Sequence, residues 1–230
     1  MWYLFCEQTT EDRFKQNFKV IFSFLYCLRF QHIYSLTGKN IVNNFERGIC
    51  VKIFVLHGSM FGHTEVLGNA IADGAKQVDG CEVIYKSVEE VEPDELKDAV
   101  GIIWGSSGIF GEPNPKMATF FSKLGQLWFT GALQGKVGGV FATTSTQHGG
   151  VENICRALQT PMQHHGMVLV SNAGPVNADR AQYGNPYGAT AVIPVETSQE
   201  APMNKPNDTE MQIAREYGKL VATAALKLHQ

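Results

Sequence analysis

The sequence from Val51 onward predicts an α/β fold, in which a doubly wound parallel sheet of five strands lies between two layers of helices. Short runs rich in Val, Ile and Phe alternate with amphipathic helical patterns along this part of the chain. The first run, Val51–His57, is apolar apart from Lys52 and His57, which is typical of a strand buried on both faces. Strands that alternate with helices form parallel sheets through right-handed crossovers.

The strands are predicted at the apolar runs. The first, VKIFVLH, covers Val51–His57 and would place almost no polar residue on either face of the strand. The other four follow at intervals that leave room for a helix between them, at Cys81–Ser87, Val100–Gly105, Lys136–Thr144 and Gly166–Asn172. Five strands suit the doubly wound order 2-1-3-4-5, which binds its ligand beyond the strand ends at the switch point between the first and third strands.

The helices are predicted from a periodicity of 3.6 residues and from their end signals. The first carries one apolar stripe from Leu67 to Val78. A short helix has acidic residues in its first turn, and the next has Pro115 in its first turn. The remaining predictions are a helix that ends near Pro161, a long loop over residues 172–206, and a final helix from Asp208, as N-cap, to Leu228.

Residues 1–48 differ from the rest of the chain and are predicted to be an N-terminal extension to a domain at residues 49–230. The segment is rich in aromatic residues, Asn and Gln, and shows no clear periodicity. Its run VIFSFLYCL is too short to span a bilayer, which takes about 20 apolar residues. Three interpretations stay open: a signal or membrane-peripheral anchor, a disordered extension, and translation from a wrongly assigned start codon.

Composition excludes several classes of function. The net charge of −3 is too small to indicate a nucleic-acid or anionic-membrane partner. The five cysteines are scattered and include no CxxC pair, which favours reduced thiols in the cytoplasm over disulfides or zinc. No His and carboxylate spacing indicates a metal site. Ser106 and Ser107 lie in GSSG and not in a G-x-S-x-G elbow, so a serine hydrolase is not indicated.

Polar residues cluster directly after the first, third and fourth predicted strands, which all end at one edge of such a sheet. The first cluster, GSMFGHT, precedes a helix, where free N–H groups and the positive end of the dipole attract anions. Ser59 and Thr64 add hydroxyl donors, and Gly62 permits close approach of a ligand. The loop has neither a Walker lysine nor GxGxxG, so it favours a fixed monophosphate. The alternative is an ordinary capped turn without a ligand.

The domain resembles the WrbA-type family of NAD(P)H:quinone oxidoreductases, which have the flavodoxin-like fold. The resemblance covers residues 51–228, and no counterpart exists for residues 1–48. The matching motifs follow in the family's order: GSMFGHT, IFGEPNPKM, LWFTGALQGK, FATTSTQHGG, HHGM and GNPYGAT.

The resemblance implies FMN as the cofactor, with NADH or NADPH as electron donor and a quinone as substrate. The first loop would hold the phosphate, the second would follow the isoalloxazine edge, and the third would wrap the ribityl chain. The implied cofactor-binding residues are Ser59, Met60, Phe61, Gly62, His63, Thr64, Gly108, Ile109, Phe110, Gly111, Thr143, Thr144, Ser145, Thr146, Gln147, His148 and His164.

The resemblance also implies a catalytic residue and a substrate wall. His164 is the candidate acid–base residue and would approach the flavin from a neighbouring loop or subunit. Trp128 and Phe61 would cover the substrate face, and the family has a Tyr at the Phe61 position. The expected oligomer is a homodimer or homotetramer. The alternatives are that the histidines only complete helix ends and that Trp128 is a core residue.

The sequence departs from the family at the second and third loops. Ser107, Gly108 and Ile109 replace a Pro-Thr-Arg motif, and the lost Arg is the charge best suited to an anionic nicotinamide cofactor. Ser145 stands where Gly is usual and would be strained if the position needs a positive φ. Glu112 places a carboxylate near the ring edge. These changes keep two other hypotheses open: a binding or regulatory protein with weakened FMN affinity, and an electron-carrier flavodoxin, which the balanced charge disfavours.

Overall fold

The computed structural model describes residues 50–175, 177–194 and 205–229. The predicted N-terminal extension therefore lies outside the described residues. The strands are β1 (Val51–Gly58), β2 (Cys81–Ser87), β3 (Ala99–Ile109), β4 (Glu112–Pro113), β5 (Val137–Thr144), β6 (Val168–Leu169) and β7 (Ala189–Val192). The helices are α1 (His63–Ala75), α2 (Pro115–Lys123), α3 (Gly125–Phe129), α4 (Val151–His164), α5 (Ala178–Tyr183) and α6 (Asp208–Leu228), with a 3₁₀ helix at Pro93–Asp98.

The sheet has the predicted order, with one change in its last strand. The hydrogen-bonded order is β2-β1-β3-β5-β6, and β7 pairs with the other end of β5. Two short parallel strands thus share the fifth position, because β6 pairs with Val137 and Gly138 while β7 pairs with Phe141–Thr144. β4 is a short antiparallel partner that turns back on the end of β3.

The predicted fifth strand was too long at both ends, because only Val168–Leu169 forms a strand, and the predicted long loop was wrong in part. The chain leaves the sheet after Leu169, and its return contains α5 and β7. Buried Asn172 binds the segment that leads into β7. Its side-chain amide donates to Gly188 O over 3.2 Å, and its N–H donates to Pro186 O over 3.0 Å. β7 has only four residues between Gly188 and Ile193, too few for its own sequence to show a strand pattern.

Helix ends also differ from the predictions. The helix predicted from Pro115 onward is broken at Leu124 into α2 and α3. α4 continues through Pro161 to His164, because packing of its buried apolar face offsets the main-chain hydrogen bond that proline removes. The N-cap of α6 is Asn207 and not Asp208.

The core lies on both faces of the sheet. On one face, α1 and α6 pack on β1 and β3, and their backbones touch where a Cβ on Gly74 would lie 1.9 Å from Arg215 O. On the other face, α2, α3 and α4 cover fully buried Trp104, whose indole N–H donates to Leu158 O over 2.9 Å. None of the helices in the described ranges has the length and hydropathy that a bilayer-spanning helix needs. The two layers fix the strand ends from which the site is built.

Candidate functional site

One cleft opens at the carboxyl ends of β1, β3 and β5, where the sequence predicted that polar loops would meet. The structure brings residues of all three predicted loops together there. Its lining residues are Ser59, Phe61, His63, Thr64, Ser107, Gly108, Ile109, Thr143, Thr144, Ser145 and Ile193. The other predicted cofactor residues of these loops, Met60, Gly62, Phe110, Gly111, Thr146, Gln147 and His148, lie on the same loops beside the cleft.

The first loop leaves the start of α1 without a side-chain cap. The N-cap is Gly62, whose φ of 85° lies in the left-handed region, and no side chain accepts a hydrogen bond from the first turn. Ser59 Oγ accepts from the Gly62 N–H over 3.0 Å, which shapes the loop and leaves the hydroxyl proton free to donate. The N–H groups of His63, Thr64 and Glu65 have no hydrogen-bond partner among the described residues. The ordinary capped turn is therefore not what forms here.

A buried pair of hydroxyls joins the first and third loops. Thr64 Oγ1 and Thr143 Oγ1 are 2.7 Å apart, and both residues line the cleft. One hydroxyl proton is used within the pair, so the other hydroxyl keeps a proton that can be donated. The pair fixes the distance between the α1 start and the end of β5.

The second loop is a tight hairpin with a strained tip. Phe110 has a φ of 50° and Gly111 a φ of 84°, so two successive left-handed residues reverse the chain between β3 and β4. Phe110 is fully exposed at this tip. The Asn153 side-chain amide, from α4, donates to Gly111 O over 2.9 Å and to Glu112 Oε1 over 3.3 Å. The hairpin is thus tied to α4 on one side of the cleft.

Ser106 and Ser107 have a structural role in this hairpin. Ser106 Oγ accepts from the Asn114 N–H over 2.8 Å and donates to Ser107 O over 2.9 Å. Ser107 Oγ accepts from the Asn114 side-chain amide over 3.1 Å. These contacts position Asn114, whose Oδ1 caps α2 by accepting from the Lys116 N–H.

The departures from the family pattern have different structural consequences. A Cβ on Gly108 would lie 2.6 Å from Ile154 Cδ1, so the missing side chain is filled by α4. Ile109 lines the cleft. The condition for strain at Ser145 is not met, because within the described ranges Phe110 is the only non-glycine residue with a positive φ.

Trp128 and His164 lie together, but in a second cleft. Its lining residues are Phe121, Leu124, Gly125, Trp128, Thr160, Pro161, His164 and His165. Trp128 is 57% exposed, so the alternative that it is a core residue was wrong. Neither residue joins the loop cleft of its own chain, and their predicted flavin and substrate contacts need a second copy of the protein.

Two lining residues of the loop cleft were missed by sequence reasoning. Ser107 is the last paired residue of β3 beside β5, and it had no counterpart in the family pattern because it replaces a Pro. Ile193 follows β7, in the segment predicted to be a loop. The AVI triplet of residues 191–193 was the only local signal for a strand there, and three apolar residues are too few to decide.

Two histidines at or near the two clefts have shifted pKa values. Burial lowers the pKa of His57, which precedes the first loop, below its ordinary value. His165, in the second cleft, also has its pKa lowered, mainly by burial and secondarily by neighbouring His164. No cluster of His, Cys, Asp and Glu in the described part of the chain has metal-binding geometry, and the lining of the loop cleft includes no Lys or Arg.

A family model described as Flavodoxin matches residues 55–187, more than half of the chain. The chain belongs to the flavodoxin family. That match begins within β1, includes all three polar loops of the cleft, and ends at Tyr187. The flavodoxin family binds FMN, and the fold indicates flavin-based redox function.

Solved flavodoxin structures share the fold at low identity. A WrbA-like flavodoxin from Agrobacterium tumefaciens is 22% identical, with a TM-score of 0.58 over 77% of this chain and 98% of that chain. A flavodoxin from the domain Archaea is 22% identical, with a TM-score of 0.56 over 76% and 99%. Flavodoxin 1 from Bacillus cereus is 18% identical, with a TM-score of 0.53 over 76% and 97%.

The loop cleft fits FMN by the chemistry of its donors. The first turn of α1 offers unpartnered N–H groups beside the Ser59 hydroxyl, which suits a phosphate monoester. A Cβ on Gly62 or Gly111 would meet no atom within 4 Å, so both loop tips have open space beside the backbone. Ile109 and Phe110 add apolar surface at the hairpin, which suits a flat aromatic ring.

Proposed function

We propose that this flavodoxin is a WrbA-type, FMN-dependent NAD(P)H:quinone oxidoreductase that reduces quinones by two electrons. The observation that carries the proposal is the start of α1. Its Gly62 N-cap leaves the first-turn N–H groups unpartnered, and this turn faces a cleft lined by three loops. Resemblance of six motifs to the WrbA-type family supports the choice of activity.

The three loops divide the cofactor between them. Ser59, Thr64 and the N–H groups of the first turn would hold the phosphate of FMN. Residues 108–111 would lie along the ring edge, and residues 143–148 would hold the ribityl chain and the other edge. Bound FMN supplies the two-electron chemistry between a nicotinamide donor and a quinone.

The chain itself supplies an aromatic surface for planar substrates. Phe61 is 72% exposed and Phe110 fully exposed, both on loops beside the cleft. Aromatic faces bind flat rings by stacking and exclude water from the reacting edge. Trp128 and His164 would complete this surface from a second copy, since they lie in the second cleft of their own chain. His164 would then hold or deliver a proton at the quinone oxygen.

The test is a titration of the full-length protein with FMN, followed through flavin absorbance and fluorescence quenching. Binding in the micromolar range or tighter is the expected result. NADH and NADPH are then mixed with a soluble quinone and the loaded protein, without any partner reductase. Quinone-dependent oxidation of the donor is expected, and its absence from a protein that binds FMN would exclude the oxidoreductase.

Ile109 favours one second candidate, a flavodoxin-fold binding or regulatory protein. This apolar side chain lines the cleft where the family has Arg. Loss of that charge would weaken binding of an anionic nicotinamide cofactor while main-chain contacts to flavin remain. FMN binding without turnover of NADH or NADPH would support this candidate. Turnover that requires an added reductase would instead indicate an electron carrier.

A further inference from the structure

His57 is a buried titratable side chain for which the proposed FMN site has no direct use. It lies near the end of β1, two residues before Ser59, and 8% of its surface is exposed. Its Nδ1 atom is buried and has no hydrogen-bond partner within the described residues. A buried polar atom without a partner costs free energy, so its presence next to a functional loop points to a role.

One aromatic ring links His57 to the start of α1. The imidazole stacks on Tyr85 of β2, with ring centroids 5.1 Å apart and an interplanar angle of 23°. The Tyr85 hydroxyl donates to the main-chain oxygen of Glu65 over 2.7 Å. Glu65 is in the first turn of α1, the turn whose N–H groups face the cleft.

The charges around His57 come from three packed elements. Burial is the main cause that lowers the pKa of His57, so the free protein holds the ring neutral at pH 7. Glu65 from α1 and Glu89 and Glu90 from the turn after β2 act in the opposite direction, and Lys116 from α2 lowers the pKa further. Lys116 is paired with Glu89 over 2.6 Å, which offsets much of its charge.

A phosphate in the first loop would change this balance. The loop cleft has no Lys or Arg in its lining, so N–H and hydroxyl groups alone face an anion there. A nearby dianion favours the charged form of histidine and raises its pKa. Linkage then requires the reverse effect, in which the protonated ring tightens binding of the anion.

We propose that His57 makes retention of the FMN phosphate proton-dependent. The protonated ring supplies the cation that the first loop lacks, and the grip on a phosphate monoester tightens as the pH falls. This inference rests on the proposed FMN site and adds its regulation. It concerns the phosphate alone, because the uncharged ring and the ribityl chain would be held by the other two loops.

The experiment compares FMN with riboflavin, which lacks the phosphate, on the full-length protein and its His57→Gln variant. Dissociation constants are measured by flavin fluorescence quenching at pH 7.5 and pH 5.8. The ratio of the FMN and riboflavin affinities isolates the phosphate. Comparison with His57→Gln removes the pH dependence of the FMN phosphate itself. Between pH 7.5 and pH 5.8 the preference for FMN over riboflavin should increase in the wild type. We expect that increase to be about fivefold larger than the increase in His57→Gln.

A second measurement needs no substitution, so it holds even if His57→Gln fails to fold. Calorimetric titrations in two buffers of different ionisation enthalpy count the protons exchanged on binding. They are run at pH 7, where a phosphate monoester with a second pKa of about 6 is already largely a dianion and releases few protons of its own. Net proton uptake with FMN and none with riboflavin is expected, since binding of the phosphate dianion alone would release protons. Two results would overturn the role of His57 and leave the proposed FMN site intact. One is proton release on FMN binding, and the other is an affinity ratio that depends on pH equally in the wild type and in His57→Gln. If neither flavin binds at either pH, the proposed function falls with it.

Discussion

Five of the six α-helices described in this flavodoxin begin in one of two ways. α2, α5 and α6 start at Asn114, Asn177 and Asn207, and each asparagine side chain accepts a hydrogen bond from the first turn. α1 and α4 start at Gly62 and Gly150, which have left-handed backbones and no side-chain cap. The asparagine caps complete their helices internally, whereas the glycine starts leave first-turn donors without a side-chain cap, and those of α1 face the loop cleft.

The two kinds of helix start serve different ends: a capped start contributes to stability, and an uncapped start leaves donors available for binding. A side-chain cap stabilises a helix by satisfying N–H groups that would otherwise face water or a buried surface. An uncapped start forgoes that stabilisation and keeps the donors available for an anion. Three predictions concern the helix starts or the loop that precedes α1, and a fourth concerns the second loop of the cleft. They are given in order of decreasing effect.

Gly150→Ala should have the largest effect. The substitution adds a Cβ to a left-handed residue, and that atom would lie 2.8 Å from Gly111 Cα. We expect the free energy of unfolding to fall by about 2–4 kcal/mol, from backbone strain and overpacking together. The matched control is Gly62→Ala, which has the same strain but no atom within 4 Å of its Cβ. Chemical denaturation of both variants measures the difference, and equal losses would show that the contact with Gly111 is unimportant.

Ser59→Ala should weaken FMN binding with little change in folding. The hydroxyl accepts from Gly62 and keeps a proton for the phosphate. Loss of one hydrogen bond to a charged group is worth about 1.5–3 kcal/mol, or roughly 10- to 150-fold in dissociation constant. Ser122→Ala, at an exposed position on α2, is the matched control. Equal FMN affinity in both variants would remove Ser59 from the site.

Asn207→Ala should lower stability without changing FMN binding, the opposite of Ser59→Ala. Asn207 Oδ1 accepts from the Glu210 N–H over 2.9 Å, and Glu210 Oε2 accepts from the Asn207 N–H over 2.8 Å. Removal of this reciprocal cap should lower the free energy of unfolding by about 1 kcal/mol and leave FMN affinity unchanged. Asn207→Asp should restore the stability, since Asp caps helices equally well. Thermal denaturation and flavin quenching together check the prediction.

Ile109→Arg tests the charge that the second loop lacks. An added guanidinium at the cleft should lower the Michaelis constant for NADH or NADPH by about threefold to tenfold at low ionic strength. Ile109→Gln is the uncharged control. The gain should shrink as salt is added, because exposed charges are screened. An unchanged Michaelis constant in Ile109→Arg would mean that the family's arginine is not the missing element.

Much of the fold could be predicted because its signals are local. β1 and β5 are largely apolar runs, and α1 and α6 carry clear apolar stripes, so their positions follow from local patterns. The strand order followed from the number of parallel strands and the handedness of crossovers. β7 could not be predicted, because four residues acquire their strand geometry only by pairing with β5.

The sequence by itself determined the doubly wound sheet and the gathering of three polar loops at one edge, since strand ends in a parallel sheet must meet there. Only the tertiary structure decided how those loops behave. It showed that Thr64 pairs with Thr143, that Ile154 fills the space left by Gly108, and that Trp128 and His164 lie in a different cleft. Each of these contacts joins residues from separate elements, and local sequence carries no information on which distant side chains will meet.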